Sequence, residues 1–175
     1  KGQRNFKYEV LNFISQVKRE LLSKEELFDQ TEDEDTVLLY HSYQEILQSQ
    51  NAIDFDDLIM LTYNLFINNP SVAEMYRRNF EFICIDEAQD LNNAQYQLLK
   101  SICGNENKNI MMVGDPNQSI FAFNGSNSDF MTKNFVKDYQ AKTIELKENY
   151  RSSRQELKEA EKKYYDSILE RDRII

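Results

Sequence analysis

The chain has no tryptophan, one histidine, two cysteines, two prolines and four glycines among its 175 residues. Each scarcity excludes something. With His41 as the lone imidazole, and Cys84 and Cys103 outside any CxxC spacing, a zinc-type site cannot be assembled. Both thiols lie in apolar surroundings and are expected to be buried and reduced, as in a cytoplasmic protein. The glycines are Gly2, Gly104, Gly114 and Gly125, and none is followed by Lys-Ser or Lys-Thr, so the glycine-rich phosphate loop is absent. No run of eighteen apolar residues exists, which excludes a helical membrane span. The first residues, KGQRNFKYEV, contain neither an apolar signal core nor an initiator methionine and read as an internal start. Basic residues are also outnumbered: 21 Lys and Arg face 30 acids, a net charge of −9. That balance argues against a broad basic face that grips phosphates.

What is present is a globular composition, 41% hydrophobic and 29% charged, in a length suited to one domain or two small ones. Much of the acidic excess sits in KEELFDQTEDED, residues 24–35, which reads as a solvated helix end or loop. Before it, Phe6, Val10, Leu11, Ile14, Val17, Leu21 and Leu22 recur at helical spacing. A second helical run covers about Thr36 to Gln50. A third starts with Asp54 as N-cap and Asp57 at the third position, and continues through Leu58, Ile59, Leu61, Leu65 and Phe66. Asn69-Pro70 restarts a short helix to about Arg78.

The pattern changes near residue 80. Phe80–Ile85 (FEFICI), Ile110–Val113 (IMMV) and Thr143–Leu146 (TIEL) are short, β-favouring runs. Helical stretches at 92–102, 129–139 and from Ser153 onward separate and follow them. Short apolar strands alternating with helices predict an α/β fold with a parallel sheet, preceded by a helical part.

Three polar segments each begin where a predicted strand ends, which is where open parallel sheets bind ligands. The first is DEAQD, residues 86–90. Asp86 is suited to Mg²⁺, a hard cation that prefers oxygen ligands, and Glu87 to polarising a water. A helix N-terminus that favours acids is the structural alternative. The second is GDPNQSIFAFNGS, residues 114–126, with Gln118 and two loop aromatics, Phe121 and Phe123. These rings either stack on nucleic-acid bases or pack inward. The third is NYRS, residues 149–152, where Arg151 is suited to a transferring phosphate or to a surface ion pair.

Together the three segments resemble the UvrD/Rep/PcrA group of superfamily 1 DNA helicases. DEAQD is similar to that group's motif II, GDPNQSIFAFNGS to its motif III and LKENYRS to its motif IV. IDFDDLI, residues 53–59, resembles the helix by which the family returns from its inserted subdomain 1B to its motor domain 1A. The resemblance covers about residues 53–153. It implies a partial P-loop (RecA-like) sheet: residues 1–52 as the end of 1B, 53–150 as the second half of 1A, and 151–175 as the start of 2A. It further implies an ATP-dependent helicase moving 3′ to 5′ on single-stranded DNA and unwinding duplex junctions, with Mg²⁺ as cofactor.

By that resemblance Asp86 would hold Mg²⁺ and Glu87 would activate the hydrolytic water. Gln118 would sense the γ-phosphate, Tyr150 would lie against adenine and Arg151 would contact the γ-phosphate. Phe121 and Phe123 would stack on bases, and Gln89, Asp90 and Asp115 would couple the two sites. Two departures stand out. Asn124 occupies a position where the family often carries arginine, which leaves a cationic DNA contact there without its residue. The missing phosphate loop precedes 1B in the family, so its absence is what an N-terminal truncation produces, and the isolated piece is expected to be inactive. Two rival readings are a degenerate, non-hydrolysing regulatory module and the helicase part of a helicase–nuclease or defence system. A sheet without its first strands would expose apolar edges, so self-association is also expected.

Overall fold

Side-chain caps start several of the helices in the computed structural model, which describes residues 2–31, 33–104, 109–120, 124–148, 158–159 and 162. The chain forms two compact units, residues 1–141 and 142–175. In the first, α1 (Gly2–Glu20) is followed by α2 (Lys24–Gln30), a helix within the acidic stretch that buries Leu27 and leaves Phe28 exposed. Ser23 caps α2, and Glu26 reaches back to the Ser23 amide. Then come α3 (Glu34–Ser49) and α4 (Phe55–Asn68). Asp54 caps α4 in a reciprocal box: its carboxylate accepts from the Asp57 amide at 2.8 Å, and Asp57 accepts from the Asp54 amide at 3.1 Å. Pro70 opens α5 (Pro70–Asn79), where its missing N–H costs no hydrogen bond.

The α/β part begins with β1 (Ile83–Ile85), continues through α6 (Asn93–Cys103) and returns as β2 (Ile110–Met112). The strands are parallel, with Ile83 opposite Ile110 and Ile85 opposite Met112. Parallel pairing requires a crossover, and α6 is that crossover. It packs against α1, α4 and α5. Tyr96, Leu99 and Cys103 of α6 join Ile14, Val17, Phe66 and Ala73 in the core. A π-helical turn, Phe130–Asn134, leads into α7 (Phe135–Tyr139). Tyr96 ties α7 to α6 by donating to Asp138 at 3.0 Å, and Lys100 pairs with Asp138 at 2.7 Å. No helix among the described residues is long and apolar enough to cross a membrane.

Three expectations change. The TIEL stretch is not a strand: residues 142–148 carry no regular element, and Leu146 is 89% exposed. A short strand exists only where a neighbour's ladder satisfies its backbone, which local composition cannot report. The helical run at 129–139 begins as a π turn rather than an α-helix. The third concerns Cys84, which is exposed, whereas Cys103 is buried. Strand alternation turns Cys84 and its partner Met111 to the face opposite Ile83 and Ile85, and Met111 is 55% exposed there. Parallel sheets normally carry helices on both faces; here Phe82 and Val113 extend the same uncovered face. The helix expected from Ser153 onward falls almost wholly outside the described residues.

The two thiols should therefore react differently. Burial pushes the Cys103 thiol up to about 11, which leaves little of the reactive thiolate. Iodoacetamide at mildly alkaline pH is expected to modify Cys84 in the folded chain and to reach Cys103 only after unfolding. Peptide mass mapping checks this, and equal labelling of both in the folded chain would contradict the assignment.

Candidate functional site

The site grows from the carboxyl ends of β1 and β2, where two loops meet through one buried amide. Asp86 follows β1 directly and is exposed. Its Oδ1 accepts the Glu87 amide at 2.9 Å, which helps the chain turn sharply out of the sheet. Glu87 then sits at φ 50°, ψ 40°, in the left-handed region. For a residue with a Cβ this costs about 1–2 kcal/mol. The next amide, Ala88 N–H, donates back to the Val113 carbonyl at 2.9 Å, so the turn is locked onto the end of β2.

Gln89 lies beneath this turn and is 2% exposed. Its Nε2 donates to Glu87 Oε2 at 2.7 Å, and its Oε1 accepts from the Asp115 amide at 3.1 Å. Its own carbonyl accepts from the Ser119 hydroxyl at 3.3 Å. Asp115 in turn accepts from the Asn117 amide at 3.0 Å and from Gln118 Nε2 at 2.8 Å. A continuous chain of hydrogen bonds thus runs Glu87, Gln89, Asp115, Gln118. Gly114 makes it possible, because a Cβ there would lie 2.3 Å from Gln89 Oε1.

Asp90 belongs to the second tie between the loops. Its carbonyl accepts from the Ser126 hydroxyl at 2.7 Å, and the Leu91 carbonyl accepts the Asn127 amide at 3.0 Å. Asp90 Oδ1 is buried without a hydrogen-bond partner. Asn124 accepts from Arg19 Nη1 at 3.0 Å. The structure therefore brings Asp86, Glu87, Gln89, Asp90, Asp115, Gln118 and Asn124 onto two adjoining loops. Phe121, Phe123, Tyr150 and Arg151 lie outside the described residues.

Among the described residues no three His, Cys, Asp or Glu side chains group to hold a metal. Asp86 and Glu87 offer one or two carboxylates, the number Mg²⁺ takes when phosphates and water supply the rest. The donor set fits that cation in that setting.

The sequence reading missed a polar node that anchors the helical part. Lys18 is 0% exposed, a lysine set in the core. Its Nζ lies 2.6 Å from Asp54 and 2.8 Å from Asp57, and 5.0 Å from the Tyr43 ring centroid. Tyr43 donates to Asp54 at 3.0 Å. Burial pushes the Asp54 carboxyl up, but the Lys18 and Asp57 hydrogen bonds, the Lys18 charge and the Tyr43 hydroxyl together hold it below its usual range. A signal existed: Lys18 falls on the apolar stripe of Ile14, Val17 and Leu21, where a solvated lysine does not belong. Arg19 was missed for the opposite reason, since it lies off that stripe.

A family model described as the UvrD/REP helicase N-terminal domain matches residues 1–140. The chain is 38% identical over 148 residues to the ATP-dependent DNA helicase PcrA of Leuconostoc citreum, covering 82% of this chain and 20% of that protein. Against the ATP-dependent DNA helicase PcrA of Staphylococcus epidermidis it is 41% identical over 145 residues, or 81% of this chain and 20% of the relative. The PcrA helicase of Staphylococcus aureus gives the same identity over the same length. The chain spans about a fifth of the length of these relatives.

Proposed function

The chain belongs to the UvrD/REP helicase family, and on that footing we propose that it is part of an ATP-driven motor that moves on single-stranded DNA and opens duplex junctions. The observation that carries the reading is the hydrogen-bonded chain from Glu87 through Gln89 and Asp115 to Gln118. A motor needs its hydrolytic carboxylate tied to its track-binding loop, and a single buried amide supplies the tie.

In this reading Asp86 would hold Mg²⁺, which when bound would neutralise phosphate charge. Glu87 accepts a proton from the water that attacks the γ-phosphate. Gln118 contacts the γ-phosphate, and a change there reaches Asp115 and Gln89 without passing through solvent. Phe121 and Phe123 stack on bases, Tyr150 lies against adenine and Arg151 reaches the γ-phosphate. Residues 53–150 then form the second half of a RecA-like motor domain, with 1–52 completing an inserted helical subdomain and 151–175 starting the next. The uncovered sheet face at Phe82, Met111 and Val113 favours association between copies of the isolated chain.

Gln89→Leu tests the tie. It keeps the volume but removes both side-chain bonds, so Glu87 and the Asp115 amide lose their common partner. In the full-length protein, stimulation of ATP hydrolysis by single-stranded DNA is expected to fall about tenfold for roughly 1.4 kcal/mol of lost coupling. Phosphate release with and without an oligonucleotide measures it. Wild-type stimulation in Gln89→Leu would remove the relay from the mechanism.

A further inference from the structure

α1 ends with two cations, Lys18 and Arg19, and they have opposite fates. Lys18 is consumed by Asp54 and Asp57. Arg19 has no carboxylate within ion-pair range among the described residues, and both of its hydrogen bonds go to neutral oxygens. Its Nε donates to the Ser15 carbonyl at 3.2 Å, and its Nη1 to Asn124 Oδ1 at 3.0 Å. These two bonds fix the plane of the guanidinium, and Nη2 makes no hydrogen bond among the described residues.

We propose that Arg19 is a phosphate contact for single-stranded nucleic acid, positioned by Asn124 at the turn that ends the 114–126 segment. The inference rests on the proposed motor function and deepens it. A fixed, part-buried guanidinium with no ion pair among the described residues is suited to a phosphate oxygen, because its donors are already oriented. It also matters more here than in a basic protein, since the net charge is −9.

The surroundings modulate the contact. Gly125 follows at φ 77°, and the site of a Cβ there would lie 3.1 Å from Glu20 Oε1. That carboxylate borders the same turn and opposes a phosphate there, so it weakens the contact that Arg19 makes. The turn is held from below by Ser126 on the Asp90 carbonyl at 2.7 Å and by Asn93, which donates to the Glu20 carbonyl at 2.9 Å. A phosphate bound at Arg19 therefore pulls on Asn124, and through the Ser126–Asp90 bond on the segment that carries Glu87.

The test uses the full-length protein and an oligothymidylate, titrated across a range of salt. Arg19→Gln keeps a donor for Asn124 but removes the charge. It is expected to weaken binding about tenfold and to reduce the slope of log affinity against log salt by about 0.7, one single-strand phosphate. Thermal melting should stay near wild type. Arg19→Asn combined with Asn124→Arg returns a guanidinium to the same pair and should restore affinity and slope. Glu20→Gln should tighten binding. Arg19→Gln with wild-type affinity and slope would overturn the proposal while leaving single-stranded binding intact. Weak binding in Arg19→Ala but not in Arg19→Gln would reduce Arg19 to a tether for the turn and overturn it equally. If the wild-type protein did not bind the oligonucleotide, the motor reading itself would fall, and this inference with it.

Discussion

Glu87→Gln in the full-length protein should lower ATP turnover by about 10²–10⁴-fold, the range a positioned general base contributes. Nucleotide affinity should hardly change. Glutamine keeps an oxygen that can accept the 2.7 Å bond from Gln89, so the network survives while the proton acceptor is lost. Single-turnover hydrolysis and nucleotide titration of the same variant separate the two effects. A collapse of affinity with modest loss of turnover would make Glu87 a binding residue instead. Glu87→Gly extends the test through the backbone. At φ 50° a glycine removes the steric cost that a Cβ carries. The same change takes the acceptor from the buried Gln89 amide, at about 1–3 kcal/mol, so in folding the relieved strain and the unpaired donor offset each other while hydrolysis is lost.

The second large effect is on stability. Lys18→Met leaves Asp57, 2% exposed, as a buried carboxylate without its cation. Removing one partner of a buried pair costs about 3–5 kcal/mol. Chemical denaturation measures the loss, and a double-mutant cycle with Asp57→Asn assigns it: an interaction energy under about 0.5 kcal/mol would mean the two side chains act independently. The node also carries a pH signature. The Asp54 carboxyl is depressed in the folded state, so its contribution is present above the ordinary value of 3.8 and is lost as pH falls through the lower folded value. Acid titration of stability should lose that component in Lys18→Met.

Much of this was legible in the residues themselves. Asp54 and Asp57 announced the α4 cap, Pro70 the start of α5, and FEFICI with IMMV the two strands, because caps, proline geometry and β-branched runs act within a few residues. The order DEAQD then GDPNQS places two polar loops at strand ends by sequence alone. Other features were invisible for a stated reason. Gln89 is an ordinary polar residue in sequence. It becomes a bridge only because β2 brings Asp115 beside it, and because Gly114 has no Cβ to block the approach.

The sequence by itself therefore determined most of the helices, the two strands and their order, the family, and which residue types stand where those strands end. These depend on local propensity and periodicity, which a linear pattern carries completely. Only the tertiary structure decided that Lys18 is caged while Arg19 has no acid partner among the described residues, that Cys84 is exposed while Cys103 is not, and that TIEL lacks a strand's pairing. Each of these depends on what another segment, tens of residues away, presents at the same point in space. Burial, ladder pairing and charge compensation belong to the contact and not to either residue alone.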